Sequence, residues 1–212
     1  MAKQPKVPEA TIKRLSIYMR VLKDLEKKGV EVISSAELAD ICGVNAAQIR
    51  KDLTYFGEFG IRGVGYYVKE LHFDIRKVLG LNQRRNVALV GVGNLGRALA
   101  SYRSFSEHGY NFVAAFDVDP ERVGESLRDG IEIHSMDDLA TFAAEHRLEI
   151  AIITTPAEAA QRAADQIVAA GIRGILNFAP TQIQVPVDVK VKKVDLTTEF
   201  DNLVYHLYAR TR

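Results

Sequence analysis

The sequence has 212 residues, 47% hydrophobic and 26% charged, with a net charge of +1. That is an ordinary globular composition, enough for two small domains. No apolar run is long enough to span a membrane, the N-terminus lacks a signal-peptide core, and the single cysteine, Cys42, excludes an internal disulfide framework. A cytoplasmic protein with no membrane partner is expected. None of the five histidines sits at metal-ligand spacing with Cys42 or a carboxylate pair, so no metal site is expected.

The small net charge hides an asymmetry. Residues 1–85 carry 16 Lys/Arg against 10 Asp/Glu, a net of +6, whereas residues 86–212 carry 12 against 17, a net of −5. Opposite signs on two halves suggest that the first half meets a polyanion, although chance clustering of solvated charge gives the same count. In chain order, Pro8 suits the first position of a helix in which Ile12, Leu15, Met19 and Leu22 form the apolar face, with a stop at Gly29. Ser34 and Glu37 fit a capping box opening a short helix over 36–41 that ends before Gly43. Asn45 and Gln48 open a third helix over 46–56. It turns Ile49 and Leu53 inward and leaves Gln48, Arg50, Lys51, Thr54 and Tyr55 outward. Two short helices joined by a tight glycine turn make a helix-turn-helix, whose second helix enters the major groove of DNA. In that arrangement Gln48 reads adenine, while Arg50 or Lys51 reads guanine or holds phosphate. A generic three-helix bundle with a solvated face fits the same pattern. Residues 57–68 (GEFGIRGVGYYV) carry four glycines and three aromatics, as a short twisted hairpin does. Directly after a recognition helix, such a hairpin is a wing with Arg62 at its tip, aimed at a minor groove. A flexible linker is the alternative, against which Phe59, Tyr66 and Tyr67 count. A helix over 68–79 and a polar linker over 82–86 close this half.

The second half opens on a strand over 87–90, followed by Gly91, Val92, Gly93, Asn94, Leu95 and Gly96. This G-x-G-x-x-G joins a strand to a helix starting near Asn94. Gly91 permits the tight turn, Gly93 lets backbone approach a pyrophosphate, and Gly96 lets helix pack on strand. Phosphate would sit at the helix N-terminus. A second strand over 112–116 ends at Asp117 and Val118. Asp117 lies 21 residues beyond Gly96, where a ribose-binding carboxylate belongs. Its charge repels a 2′-phosphate and favours NAD(H) over NADP(H), although Arg122 nearby makes this a preference only. Strands over 131–133, 150–154, 174–177 and 189–194 alternate with helices over 137–146 and 157–170, as in a doubly wound parallel sheet. The turns Thr154, Thr155, Pro156 and Asn177, Phe178, Ala179, Pro180 stand at strand carboxyl ends, where ligands bind in such sheets. They either line the nicotinamide end or are ordinary turns. Residues 197–212 form a last helix with Phe200, Leu203, Val204 and Leu207 on one side. They leave no room for the substrate domain that dehydrogenases of this type add, and no catalytic residues stand out.

The combination of segments 8–15 (PEATIKRL), 49–57 (IRKDLTYFG), 62–66 (RGVGY), 91–96 (GVGNLG) and 174–180 (GILNFAP) resembles the Rex family of bacterial redox-sensing repressors, over residues 7 to about 208. The resemblance implies an α/β protein with a winged helix-turn-helix domain over 1–80 and a Rossmann domain for NADH and NAD⁺ over 86–195. It implies a homodimer that binds an inverted-repeat DNA operator when NAD⁺ dominates, releases it when NADH rises, and exchanges the C-terminal helix, 196–212, between subunits. It places Tyr102 near the nicotinamide, and Arg14 opposite Asp195 across the dimer as a state-dependent pair. Two other readings share these features: a small NAD-dependent oxidoreductase and a module for CoA or another adenine nucleotide.

Overall fold

Two units divided between Gln83 and Arg84 make up the protein in a computed structural model, which describes residues 7–209 with the exception of the Asp129 side chain. In the first unit, α1 (Glu9–Lys27) buries Leu15, Tyr18, Met19 and Leu22 along one stripe. Pro8 stands just outside, as the N-cap, rather than at the first helical position. Ile12, expected in the stripe, is 38% exposed. Thr11 and Tyr18 take the inward places instead, because both donate hydrogen bonds to a buried carboxylate of α3.

The capping box at Ser34 opens α2 (Ser35–Cys42). The Glu37 amide donates to Ser34 Oγ at 3.2 Å, and the Ser34 amide donates to Glu37 Oε2 at 2.9 Å. Gly43 ends the helix with φ +67°, a left-handed conformation that glycine adopts without a Cβ penalty. Asn45 caps α3 (Ala46–Thr54) by accepting the Gln48 amide at 2.8 Å. That helix stops two residues short of its expected end.

The glycine-rich segment departs from a self-contained hairpin. Within it only Ile61 and Gly65 bridge, with Arg62, Gly63 and Val64 forming the loop. Its main pairing is backward: β2 (Tyr66–Tyr67) runs antiparallel to β1 (Val32–Ile33), ahead of α2. A Cβ on Gly65 would lie 2.5 Å from the Ile33 carbonyl oxygen, so the wing closes only with glycine there. Leu38, Ile49 and Leu53 pack with the α1 stripe and with Val68, Leu71 and Ile75 of α4 (Val68–Val78) in one core.

The second unit is a six-stranded, all-parallel sheet in the order β5-β4-β3-β6-β7-β8. Its strands are β3 (Arg85–Val90), β4 (Tyr110–Asp117), β5 (Ile133–Ser135), β6 (Ile150–Ile153), β7 (Gly174–Asn177) and β8 (Lys190–Lys193). Helices α5 (Asn94–Ala100), α6 (Ser104–Glu107), α7 (Leu139–His146), α8 (Ala157–Ala169) and α9 (Leu196–Tyr208) complete it. Val90, Phe116 and Ile153 pack on one face with Leu139 of α7 and Ile167 of α8, while Leu89, Ala115 and Ile152 belong to the core of the other. Strand order reverses between β3 and β6, which opens a crevice at their carboxyl ends. The third strand lies two residues beyond its expected place, and α6 was not anticipated.

Capping supplies a stability test. Ser34→Ala removes one half of the box and is expected to destabilise the N-terminal unit by about 1 kcal/mol, measured as a lower midpoint of denaturant unfolding.

Candidate nucleotide cleft and nucleic-acid interface

The crevice at the β3/β6 switch is a cleft of about 850 Å³. Gly91 turns out of β3 with φ +93°, and a Cβ there would lie 2.9 Å from Thr155 Cγ2 and 3.0 Å from the Thr154 carbonyl carbon. Gly93, the residue before α5, has nothing within 4 Å of a Cβ position. It makes no side-chain cap, so the first amides of the helix remain open to an anion. Gly96 is buried, and a Cβ would collide with the Gly91 carbonyl oxygen. Thr154 locks the floor, its hydroxyl donating to the Gly91 carbonyl oxygen at 2.6 Å. The Thr155 hydroxyl is buried and has no hydrogen-bond partner among the described residues.

Asp117 closes the far side of the cleft, 7% exposed. Its Oδ2 accepts the Val92 amide at 2.7 Å and Arg122 Nη1 at 3.1 Å, and its Oδ1 accepts the Asp119 amide at 3.0 Å. Burial opposes ionisation, but these donors outweigh it and hold the carboxyl below its ordinary range.

The cleft brings together Gly91, Val92, Gly93, Asn94, Leu95, Asp117, Val118, Thr154, Thr155 and Pro156, and adds Asp119, Met136, Arg162 and Gln166, which sequence reasoning missed. Arg162 and Gln166 stand four apart on α8, a spacing indistinguishable in sequence from a solvated face. Gly96 supports the cleft from behind. Tyr102 is not in its lining; it is 60% exposed and meets Phe105 edge-on with centroids 5.4 Å apart. Asn177, Phe178, Ala179 and Pro180 do not line it either. Asn177, 1% exposed, accepts the Ala179 amide at 2.9 Å and donates to the Thr181 carbonyl at 3.0 Å, which is turn chemistry.

On the first unit, Arg50, Lys51 and Thr54 are exposed on α3, Tyr55 is half-buried just after it, and Arg62 is exposed at the wing tip. Arg50, Thr54 and Arg62 line a groove of about 760 Å³ that also includes Ser34 and Ser35 at the start of α2. Arg50 Nη1 donates to Ser35 Oγ at 2.8 Å. The Thr54 hydroxyl turns back to the Arg50 carbonyl at 2.7 Å. Gln48 is not free as expected, because its Nε2 donates to Asp52 Oδ1 at 2.9 Å.

Asp52 is the functional-unit residue that the sequence reading missed. It is fully buried, and it accepts from Thr11 Oγ1 at 2.9 Å, Tyr18 OH at 2.8 Å, and Arg14 Nε and Nη2 at 2.6 and 2.7 Å. Burial pushes its pKa up, but the hydrogen bonds from Arg14, Tyr18, Thr11 and Gln48 prevail and hold it at about 2. The signal was present as a polar row, Thr11, Arg14 and Tyr18, at spacings of three and four beside the apolar stripe of α1. Arg14 is therefore engaged within its own unit. Asp195, the N-cap of α9, likewise accepts from the Thr197 hydroxyl at 2.6 Å and from Lys193 Nζ at 3.0 Å, which hold its carboxyl at about 2.

Comparison with known proteins follows the same division. Residues 6–54 match a family described as a putative DNA-binding protein N-terminus, and residues 82–181 match a CoA binding domain family. Over 202 residues the chain is 57% identical to the redox-sensing transcriptional repressor Rex of Syntrophobacter fumaroxidans, covering 95% of this chain and 96% of that one. It is 51% identical to the Rex repressor of Maridesulfovibrio salexigens, covering 97% and 98%. A solved structure of RSP with β-NAD⁺ and operator DNA superimposes with a TM-score of 0.91 at 40% identity, covering 97% of this chain and 94% of that one. RSP with β-NADH gives 0.87 at 39% identity, covering 97% and 96%.

The Asp52 cluster sets a pH dependence. A carboxyl whose folded pKa is depressed contributes stability that is present above its unfolded value and lost as pH falls through the folded value. Unfolding of the N-terminal unit is therefore expected to become easier as pH drops from the ordinary 3.8 to about 2. Asp52→Asn should flatten that slope. Asp52→Ala, which strands Arg14 and Tyr18, is expected to cost roughly 3–5 kcal/mol at neutral pH, measured by denaturant titration.

Proposed function

Because the chain belongs to the Rex family of redox-sensing transcriptional repressors, we propose that it represses transcription by binding operator DNA in its apo or NAD⁺ form and leaves the operator when NADH occupies its cleft. It is a regulator rather than an enzyme, as the names of its relatives state. NADH and NAD⁺ are its ligands. The carrying observation is one chain that joins a glycine-turn cleft ending in Asp117 to a winged unit exposing Arg50, Lys51 and Arg62.

In the cleft, the pyrophosphate lies over the open Gly93 position and the first amides of α5. Asp117 accepts from the adenosine ribose, and the unpartnered Thr155 hydroxyl acquires a partner from the ligand. Tyr102 and the 177–180 turn contribute at the nicotinamide end only in the assembled dimer. On the DNA side, Arg50 and Lys51 contact the major groove and Arg62 the minor groove, with Tyr55 and Thr54 at the edge. Gln48 is left to Asp52.

The active form is a homodimer. Every apolar residue along α9, including Phe200, Leu203 and Leu207, is exposed within one chain, as expected of a helix exchanged with a second copy. Arg14 and Asp195 then change partners between states. NADH and NAD⁺ differ chiefly in the nicotinamide, neutral in one and cationic in the other. Enclosing the cation in an apolar pocket costs free energy, so the closed state selects NADH. Driving the population from 1:99 to 99:1 takes about 5.5 kcal/mol of differential binding, a load two ligands per dimer share.

The match to a CoA binding domain family keeps one other ligand in view. CoA displacing NADH at comparable concentration would establish it as the effector instead.

Selection from a random DNA library is expected to recover an inverted repeat with half-sites an integral number of turns apart, roughly 34 Å per turn. Binding to that DNA should fall as the NADH/NAD⁺ ratio rises; affinity independent of the ratio would overturn the proposal. Lys51→Ala should reduce the salt slope by about one, and Arg50→Ala should cost about 1–3 kcal/mol if it reads guanine. A chain ending at residue 195 is expected to sediment as a monomer and to lose operator affinity.

A further inference from the structure

Asp117 does more in the cleft than present a negative charge: it holds a cation still. Arg122 Nη1 donates to Asp117 Oδ2 at 3.1 Å, and Arg122 Nε lies 3.2 Å from Asp119 Oδ2. The guanidinium is thus spread between two carboxylates at the edge of the cleft, and all three residues line it. A carboxylate has about four acceptor positions. On Asp117 three are filled, by Val92, Asp119 and Arg122, which leaves one for a ribose hydroxyl. Arg122 is only partly covered, its side chain 38% exposed, so burial alone does not fix its guanidinium. The two carboxylates do.

From this geometry we infer that Arg122 is the dinucleotide-specificity residue of the cleft, a 2′-phosphate ligand kept out of service by Asp117 and Asp119. The inference rests on the NAD(H) reading of the cleft and deepens it. A carboxylate at this position is ordinarily credited with accepting from the ribose and repelling a 2′-phosphate. Here the same carboxylate also occupies a guanidinium whose planar fork matches a phosphate monoester. An incoming 2′-phosphate has to displace Asp117 from Arg122 while lying beside two negative charges. Removing Asp117 lifts one repulsion and frees Nη1 together. Arg162 is a second guanidinium on the cleft, with no ion-pair partner among the described residues, yet the wild-type cleft has no carboxylate holding it. Were Arg162 the phosphate ligand, freeing Arg122 would add nothing.

Titration of the full-length protein with NADH and with NADPH, followed by calorimetry, tests this in wild type, Asp117→Ala, Asp117→Ala/Arg122→Ala and Asp117→Ala/Arg162→Ala. Wild type is expected to bind NADH in preference to NADPH. Asp117→Ala should weaken NADH and raise NADPH affinity about tenfold or more. The added Arg122→Ala should abolish that gain, whereas the added Arg162→Ala should leave most of it. A gain that survives Arg122→Ala, because only repulsion was removed, or one that follows Arg162, overturns the inference. So does no gain at all in Asp117→Ala. Wild-type protein that binds neither dinucleotide would overturn the NAD(H) reading itself, and the specificity assignment with it.

Discussion

The cleft exists because backbone meets backbone where no side chain fits. Gly91 lies against Thr154 and Thr155, and Gly96 lies against the Gly91 carbonyl oxygen. These approaches hold the start of α5 directly over the end of β3. The Thr154 hydroxyl then bonds the Gly91 carbonyl across the gap between β3 and β6, the neighbours at which strand order reverses. A methyl group at either glycine would separate elements whose closeness shapes the cleft. Asp117 uses the same economy, since its carboxylate braces the turn through the Val92 amide while it lines the cleft. The cleft wall and the local fold therefore share atoms, and a substitution at Asp117 disturbs both.

The first unit solves a different problem. α3 must present Arg50 and Lys51 at a fixed angle, yet it is only nine residues long and shares its core with a few side chains. Ile49 and Leu53 supply attraction without direction. Direction comes from Asp52, whose hydrogen bonds from Thr11, Arg14 and Tyr18 tie α3 to α1 at one register. A buried ion pair is weak evidence for stability, because desolvation offsets much of the attraction. Its strength lies in excluding other orientations, since a shifted helix leaves a charge without donors. Arg14 thereby holds α3 directly. Any event that draws Arg14 toward another carboxylate would loosen α3.

Local features were legible in the sequence and distant ones were not. The capping residues Ser34, Glu37 and Asn45 act on amides three residues away, so their pattern sufficed. The glycine spacing of 91–96 and the apolar run before it placed the strand, turn and helix to within a residue or two, and the alternation beyond them gave the parallel sheet. The wing was read as a closed hairpin because its partner, Val32–Ile33, is only two residues long and shows no alternation. Asp52 escaped because its donors come from a different helix and from a face that also carries apolar residues. Thr11 displaced Ile12 from the interior for the same reason: a hydrogen bond to a buried charge outranks one more apolar contact. At the 177–180 turn, position at a strand end fits a ligand wall and an ordinary turn alike, and Asn177 shapes that turn itself.

α9 is the element whose presence demands something outside the chain. It has 13 residues, and none of them is buried. An isolated helix of that length is marginal in water, because nucleation costs more than so few turns return. Asp195 contributes an N-cap, which is a modest help at an exposed helix end. Leu196, Phe200, Leu203, Val204 and Leu207 are all at least 49% exposed. Burying a side chain of this kind contributes about 1.5–3 kcal/mol, so covering even part of this face outweighs the cost of ordering the helix. A second copy offers such a cover with matching symmetry, since each chain would give and receive the same helix. Folding of α9 and the covering of its apolar face are then one equilibrium. Whatever covers that face therefore also decides whether the helix is formed.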